Sequence, residues 1–457
     1  MLSFIGLCLL LGAGHLLRMR IRLLRRLYLP SCVIAGLVGL AAIQGSGWAG
    51  HPVPAEWMAG WKKLPGILIN VVFACLFLGV KLPQARTLWR RAGPQVAYGQ
   101  MVALGQYVVG VGLVIAVLGQ AFGVPDTFGA ILPVGFEGGH GTASGLRPTF
   151  EKLNWAEGTD LALASATVGI VGAIVFGMIL VNWAARRGRT VRQLNPEDVQ
   201  EDDSVGVIPV DSRPEAGRLT VKSDAIEAFS MHLCVVGLAI LIGMLAKWGL
   251  TSLETLWPWA AENHLLSSFP LFPLCMIGGL VIQMAEDRFD KHRLIDPGLT
   301  RRIQNTALDF LVVAAIATIQ IETVRSHWAP LAILMVAGVV WNLLCVLVLA
   351  PRVLPDAWFE RSIAEMGQSM GVTATGLLLL RVVDPDYETP AADAFACKQL
   401  IHEPFMGGGL WTGMALPLLA AIGGLKVFLI ALGMLTGWFI VALIMRRMRN
   451  RQAGSKG

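Results

Sequence analysis

The sequence predicts an all-α integral membrane protein, and its composition, its apolar runs and the placement of its charges all favour that class. Of the 457 residues, 55% are hydrophobic and 15% are charged, and the mean hydropathy is +0.62. Soluble proteins carry about 25% charged residues. Apolar runs of about 17–25 residues recur along the chain, which is long enough to cross a bilayer core of about 30 Å. The short alternating segments of a membrane β-barrel are not seen in the sequence.

The distribution of basic residues excludes one class of partner. The formal net charge is +6, but the Lys and Arg residues lie in short clusters beside the apolar runs, as in cytoplasmic loops of membrane proteins. We therefore expect contact with membrane lipid and no nucleic-acid partner. The seven cysteines are scattered, with neither a metal-binding spacing nor a disulfide framework.

The apolar runs predict eleven membrane spans, at 2–17, 27–45, 64–80, 94–118, 160–184, 229–249, 269–285, 306–322, 330–350, 403–424 and 427–445. Two shorter segments, 130–152 and 363–382, are predicted to be re-entrant hairpins that enter and leave on the same side. The N-terminus is then outside and the C-terminus cytoplasmic. This threading places 30 of the 37 Lys and Arg residues on the cytoplasmic side, in the segments 18–26, 81–93, 185–228, 286–305, 351–402 and 446–457.

Two sequence strings occur twice, in the same order. The decapeptide "EGGHGTASGL" at 137–146 resembles "QSMGVTATGL" at 368–377, with Glu137 opposite Gln368. The string "PSCVIAGLV" at 30–38 resembles "PLCMIGGLV" at 273–281. The ordered pair of similarities indicates an internal repeat.

The predicted spans make this repeat inverted. Five crossings separate equivalent points, so the two halves have opposite orientations, as in many secondary transporters. We predict two inverted-topology repeats of five transmembrane helices, each with a re-entrant hairpin, plus one extra C-terminal helix. The corresponding boundaries are 1–184 for the first repeat, 185–228 for a cytoplasmic linker, 229–424 for the second repeat and 425–457 for the last helix with its basic tail.

The decapeptides are the candidate binding site for ions and substrate. Non-helical backbone at membrane depth is tolerated where it is buried in protein or lines a wet cavity, and its free carbonyls and hydroxyls suit a cation such as Na⁺. Close helix packing through a small-xxx-small pattern is the alternative explanation. The candidates are Gly138, Gly139, Gly141, Thr142 and Ser144 in the first copy and Gln368, Ser369, Gly371, Thr373 and Thr375 in the second.

Charged residues near the decapeptides add further candidates. Glu137 and His140 either relay protons or hold a cation, since ionisable groups within a membrane are usually functional; alternatively, Glu137 forms an ion pair with Arg147. Arg147 either binds a substrate carboxylate or extends to the membrane surface.

One polar residue lies near the start of the third span in each half, Asn70 in the first and Asp309 in the second. Asn70 and Asp309 are candidate ion ligands, although Asp309 fits the cytoplasmic interface somewhat better. Together with the hydroxyl residues of the decapeptides, the main sodium candidates are Thr142, Thr373 and Asp309.

Enzyme motifs are absent from the sequence. "GGHGTASG" lacks the Lys of a phosphate-binding loop, "IHEPF" at 401–405 lacks the second His of a zinc-protease helix, and no GxSxG elbow occurs. We expect neither enzymatic activity nor an organic cofactor.

At these residues the chain resembles the bacterial sodium/glutamate symporter family, from about residue 25 to 425. The resemblance rests on "GGHGT" at 138–142, a second Gly- and Thr-containing loop, a Pro- and Gly-containing second span in each half, and a central linker. It implies Na⁺-coupled uptake of glutamate or a related carboxylate by alternating access, in the bacterial inner membrane, by a homodimer. The residues carried over are Gly138, Gly139, His140, Gly141 and Thr142 and, more loosely, Gly371, Thr373 and Thr375.

The chain also departs from the family pattern. Glu137 and "SGLRP" stand where the family has small residues, and the second loop is poorer in glycine. A carboxylate beside an anion site repels glutamate unless it is protonated or paired. Two other hypotheses therefore stay open: the same fold carries another organic solute with proton coupling through Glu137 and His140, or the protein is a non-transporting membrane scaffold.

Overall fold

The protein consists of α-helices joined by turns. A computed structural model describes residues 2–26, 29–80, 85–191, 208, 210–385 and 388–454, and no β-strand occurs in these ranges. Residues 192–207 and 209 of the predicted linker lie outside them. The helices are α1 (Leu2–Arg20), α2 (Arg22–Arg26), α3 (Ser31–Trp48), α4 (Ala55–Ala74), α5 (Ala85–Leu113), α6 (Gly119–Phe122), α7 (Ile131–Gly135), α8 (Gly139–Gly145), α9 (Arg147–Lys152), α10 (Glu157–Arg186), α11 (Ala228–Glu254), α12 (Pro258–Glu262), α13 (Phe272–Phe289), α14 (Pro297–Ala317), α15 (Ile321–Ser326), α16 (Trp328–Leu344), α17 (Ala350–Val353), α18 (Trp358–Met370), α19 (Thr373–Val383), α20 (Ala391–His402), α21 (Leu410–Ile422) and α22 (Gly424–Gly454).

Within the described ranges, seven helical stretches are long and apolar enough to cross a membrane, so the chain is a multi-pass helical membrane protein. Each coincides with one of the eleven predicted spans. The other four predicted spans fall on helices that are shorter or carry more charge, so the eleven-span threading stays a prediction. The seven stretches are Ser3–Arg20, Ser31–Trp48, Ala92–Phe122, Glu157–Arg186, Ala228–Glu254, Trp328–Val353 and Gly424–Arg449.

Two long helices contain a π-helical turn. The turn Val114–Leu118 joins α5 to α6, and the turn Cys345–Leu349 joins α16 to α17. The first begins 23 residues before Glu137 and the second 23 residues before Gln368. Because π turns are rare within α-helices, their equal spacing extends the similarity of the decapeptides into the backbone.

The helices form two compact units that interleave along the chain. Unit 1 comprises Met1–Leu82, His140–Thr159 and Glu201–Gln320, and unit 2 comprises Pro83–Gly139, Asp160–Gln200 and Ile321–Gly457. Each unit therefore takes segments from both sides of the predicted linker. Compact units and sequence repeats are different divisions of a chain, so the boundaries predicted for the repeats stay predictions.

Unit 1 depends on close packing at the glycines of the repeated nine-residue strings. A Cβ added to Gly36 on α3 would lie 2.6 Å from Cβ of Ile316 on α14. A Cβ added to Gly279 on α13 would lie 2.2 Å from the carbonyl oxygen of Ala74 on α4. Small residues allow such close approach of membrane helices. Gly36 and Gly279 hold the same position of the two strings, and each packs against a helix from the other half of the sequence.

Unit 2 is built around α5, which contacts α16, α20 and α22. Gly105 on α5 leaves room for the ring of Trp341, because an added Cβ would lie 1.9 Å from that ring. The indole N–H of Trp341 then donates to the carbonyl of Val102 at 2.9 Å. The absence of a side chain at Gly105 thus lets α16 lie directly against α5.

We expect Gly279→Ala to destabilise unit 1, because the new methyl group forces the Ala74 backbone to move. Overpacking of this kind costs about 1–3 kcal/mol, and the measurement is the melting temperature of purified protein in detergent. Gly237→Ala is the matched control, since a Cβ added at Gly237 on α11 has no atom within 4 Å. Equal melting temperatures for the two variants would contradict the packing.

Candidate functional site

The first decapeptide begins with a break in the helical backbone. The chain leaves α7 at Gly135, turns through Glu137 and Gly138, and starts α8 at Gly139. Gly139 has φ +67°, a left-handed conformation in which a side chain is strained. The side chain of Glu137 is thereby presented at a turn, and it is only 5% exposed.

The second decapeptide contains a matching break, and the two breaks adjoin within unit 2. Helix α18 ends at Met370 and α19 begins at Thr373. A Cβ added to Gly139 would lie 3.5 Å from the carbonyl oxygen of Gly371. The two interruptions of the helical backbone therefore lie side by side.

Glu137 links the two breaks to a third segment, α20. One of its carboxylate oxygens, Oε1, accepts a hydrogen bond from Nε2 of Gln368 at 2.8 Å. The same oxygen lies 2.6 Å from Nε2 of His402, a distance at which the ring N–H donates to it. The second oxygen, Oε2, is buried and has no hydrogen-bond partner in the described part of the chain. Glu137 and Gln368, which align in the two decapeptides, are thus in direct contact.

Lys398 on α20 supplies the positive charge. Its ammonium nitrogen lies 2.6 Å from Oε1 of Glu365 and donates to the side-chain oxygens of Gln368 at 3.0 Å and Gln399 at 2.9 Å. The side chains of Lys398 and Glu365 are both 0% exposed. Gln95 on α5 donates to the other carboxylate oxygen of Glu365 at 2.9 Å. The ion pair is therefore fully removed from solvent and supported by neutral amides.

A third carboxylate, Glu403, lies beside Thr373 at the start of α19. The amide of Gln399 donates to Glu403 at 3.0 Å and to the hydroxyl oxygen of Thr373 at 2.7 Å. The Thr373 hydroxyl lies 3.3 Å from the same Glu403 oxygen. A hydroxyl and a carboxylate, which are oxygen groups of the kind that ligate hard cations, are thereby placed together at the start of α19.

These side chains, here called the buried cluster, carry excess negative charge; most of them are buried, and Thr373 and Glu403 are half-buried. Three carboxylates accompany one ammonium, so the cluster has a net charge of −2 with His402 neutral and −1 with it protonated. Removing an ion from water costs several kcal/mol unless it is compensated. The cluster is thus suited to bind cations or protons. Its members are Glu137, Glu365, Gln368, Thr373, Lys398, Gln399, His402 and Glu403.

Helical spacing explains how three short segments build the cluster. Lys398 and His402 are four residues apart on α20 and so share one face, as do Glu365 and Gln368, three apart on α18. Gly99 on α5 makes space for the ion pair, because an added Cβ would lie 2.4 Å from Cε of Lys398 and 2.6 Å from Glu365.

The structure places the sequence-predicted candidates in both units. Unit 2 holds Glu137, Gly138, Gly139, Gln368, Ser369, Gly371, Thr373 and Thr375, whereas unit 1 holds Asn70, His140, Gly141, Thr142, Ser144, Arg147 and Asp309. Ser369 donates to the side chain of Asn342 at 2.6 Å. Within unit 2, Glu137 contacts Gln368 and His402. Arg147 belongs to unit 1, so its pairing with Glu137 stays a prediction.

The three sodium candidates belong to two units. Thr373 lies beside Glu403 in unit 2. Asp309 on α14 and the buried Thr142 belong to unit 1. Asn70 donates to the carbonyl of Gly66 at 2.9 Å, within its own helix.

Sequence reasoning missed Glu365, Lys398, Gln399, His402 and Glu403. They fall in or just after 351–402, which was predicted to face the cytoplasm. Helices α18 and α20 occupy about half of that segment, and most of their polar residues are buried. Lys398 and Arg361, which is 3% exposed, counted as loop charges although both lie in the interior. The available signal was "IHEPF", a His–Glu pair next to an apolar run, considered only as a zinc motif.

Interrupted helices around buried charges, in a multi-pass helical protein, define a membrane transport protein. A model of the sodium/glutamate symporter family matches residues 1–387, most of the chain, and the protein belongs to that family. No curated protein matches the chain. The matched range includes Glu137, Glu365, Gln368 and Thr373 but ends before α20. The family match therefore does not describe the segment that provides Lys398 and His402.

We expect Lys398→Met to lower the melting temperature strongly, because it leaves Glu365 buried without its counter-charge, at a cost of about 3–5 kcal/mol. Adding Glu365→Gln should restore much of the loss. Thermal unfolding of the purified variants measures both effects. Arg325→Met is the control, since its pair with Glu322 is solvent-exposed and such pairs contribute about 0–1 kcal/mol. A double variant no more stable than Lys398→Met would contradict the charge argument.

Proposed function

We propose that the protein is a secondary active transporter that couples Na⁺ entry to the uptake of glutamate or a related carboxylate by alternating access. Membership of the sodium/glutamate symporter family supports this proposal. The single observation that carries it is the buried cluster, which combines excess negative charge with two helix breaks in unit 2.

The excess charge supplies a physical basis for coupling. An anionic substrate is repelled by the buried cluster, and two like charges 4 Å apart interact by about 4 kcal/mol at an effective dielectric constant of 20. A bound cation removes this repulsion, so it raises the affinity for the anion. Because such coupling is reciprocal, the substrate in turn raises the affinity for the cation.

Thr373 and Glu403 are the proposed ligands for one Na⁺ ion. Both offer oxygen atoms, and Gln399 holds them in place by donating to each. Lys398 is held by Glu365, which leaves the charge of Glu403 for the ion. Thr142 and Asp309 remain candidates for an ion bound in unit 1.

We further propose that the chain contains two inverted repeats, each with a re-entrant hairpin. Three observations support this: the equal spacing of the π turns from the decapeptides, the packing of Gly36 and Gly279, and the contact of the aligned residues Glu137 and Gln368. Aligned residues meet where a pseudo-two-fold axis relates two repeats. The proposal includes the bacterial inner membrane, an outside N-terminus, a cytoplasmic C-terminus and a homodimer.

Proton coupling with another organic solute is the second candidate, and the Glu137–His402 contact favours it. A carboxylate bonded to a buried imidazole can take up a proton at either group. The other charged groups of the cluster are Glu365, Lys398 and Glu403. His402 and Lys398 lie outside the range matched by the family model. If coupling in this protein differs from the sodium coupling of the family, these two residues are the proposed cause.

Uptake into proteoliposomes separates these functions. Sodium-driven transport predicts accumulation of labelled glutamate only with an inward Na⁺ gradient. Accumulation driven by an inward proton gradient, or of a different solute, would support the second candidate. Absence of uptake of any tested carboxylate or amino acid by folded protein would support a non-transporting scaffold and contradict both.

Glu403→Gln should raise the Na⁺ concentration needed for half-maximal uptake by at least about tenfold, which corresponds to 1.4 kcal/mol. The reason is that the variant removes the charged ligand of the proposed sodium site. The measurement is initial uptake against Na⁺ concentration. Glu322→Gln, an exposed residue of the same unit, is the control and should leave this concentration unchanged. An unaltered Na⁺ dependence in Glu403→Gln would show that Glu403 is not a ligand of the coupled ion.

Gly139→Ala should reduce uptake at least about tenfold, because its methyl group enters the space between the two helix breaks. Gly123→Ala is a close control: Gly123 has the same φ of +67°, so the backbone strain is equal, but nothing lies within 4 Å of its added Cβ. Initial uptake rates, corrected for the amount of protein, give the comparison. Similar losses in both variants would attribute the effect to strain and not to the site.

A further inference from the structure

Unit 1 contains a cavity of about 280 Å³ that is separate from the buried cluster. It lies between α4, α9 and the loop that precedes α13, and Ile69, Leu271 and Phe272 form an apolar wall. Lys152, Lys247 and the serines of the loop also line it. Binding pockets combine apolar walls with a few polar groups in this way, and their usual volumes begin near 300 Å³.

Two ammonium groups converge at this cavity on one carbonyl oxygen. Lys247 donates to the carbonyls of Leu266 at 2.8 Å, Ser267 at 2.9 Å and Phe269 at 2.5 Å. Lys152 donates to the same carbonyl of Ser267. Two positive charges that share one acceptor repel each other, and an anion beside them would relieve that repulsion.

No acidic residue is among the described residues that line the cavity. The carboxylate of Glu254 accepts from the backbone N–H groups of Leu266 at 2.6 Å and Ser267 at 3.0 Å. It therefore fixes the loop that carries the carbonyls. The local charge of two lysines and one glutamate is +1, which suits one anionic group.

Unpartnered hydroxyls provide a second, independent indication of a ligand. Ser268 is 2% exposed and lines the cavity, and its hydroxyl has no hydrogen-bond partner within the described ranges. The hydroxyl of Ser267 is likewise buried without a partner there. Thr149 donates to the Ser268 carbonyl at 2.7 Å, which holds the loop against α9. A buried donor without an acceptor costs about 1–3 kcal/mol, and an anion oxygen would accept its hydrogen bond.

We propose that this cavity binds the oxyanion group of a small organic anion. Lys152 and Lys247 compensate the charge, the Ser268 hydroxyl donates a hydrogen bond, and the apolar wall receives the carbon chain. A free carboxylate such as glutamate and the phosphate of an anionic lipid headgroup share this chemistry. No residue of the buried cluster lines this cavity, whereas Asn70 of the sequence-predicted candidates does.

The test uses full-length protein in phosphatidylcholine nanodiscs without Na⁺, titrated with L-glutamate by calorimetry at constant ionic strength. The double variant Lys152→Gln with Lys247→Gln should weaken glutamate binding at least tenfold. Ser268→Ala alone should also weaken it, by a smaller factor. Lys62→Gln with Lys63→Gln, an equal change of charge on α4, is the control and should bind normally. The absence of Na⁺ separates this site from the proposed transport site, at which glutamate binding depends on the ion.

A lipid occupant gives a different result in the same experiment. Phosphatidylglycerol would then stay bound to the wild type in native mass spectrometry and be lost from the lysine double variant, and glutamate would not bind. The single variant Lys152→Gln is measured as well, in case the double variant does not fold. The side chain of Lys152 is exposed, so this variant should fold. If neither glutamate nor phosphatidylglycerol binds in a way that depends on Lys152, or if Lys62→Gln with Lys63→Gln causes the same loss, the proposal is overturned.

Discussion

Excess buried negative charge is the constraint on which the rest of unit 2 depends. Glu137 is held in a low-dielectric interior by Gln368 and His402, neither of which carries a permanent positive charge. Lys398 is nearby but is neutralised by Glu365. A native protein tolerates such an imbalance when function requires it, because the missing charge is supplied by a ligand. The two helix breaks lie beside this charge, since Glu137 is at the first break and Thr373 begins the helix that follows the second.

The glycines provide the space and the backbone turn that the charged residues of the buried cluster need. Gly99 lacks the side chain that would overlap the ion pair, and Gly139 adopts a conformation that turns the chain beside Glu137. Without these glycines, the buried cluster would have no room and the helix would continue past the site. For Gly139 of the first decapeptide, a packing role and a role in shaping the site are therefore compatible.

The sequence predicted the fold class and where the helices break, because hydropathy and glycine content are local properties. It also placed Glu137 opposite Gln368, which contact each other. It did not predict Lys398 or His402 as site residues. A charged residue in a polar segment is expected to lie in a solvent-exposed loop, and only tertiary contacts show that it is buried. The distribution of Asp309 and Thr373 over two units could not be predicted either, because sequence repeats do not specify which helices form a compact unit.

The interleaving of the units has a consequence for the order of events at the ribosome. The glycine surface of α3 packs on α14, which is synthesised more than 250 residues later, and α5 awaits α16, α20 and α22. The first half therefore enters the bilayer with its contact faces uncovered. Unit 1 cannot be completed until residue 320 has been translated, and unit 2 requires nearly the whole chain. Long-range contacts of this kind slow folding, and they expose the nascent protein to misassembly during biosynthesis.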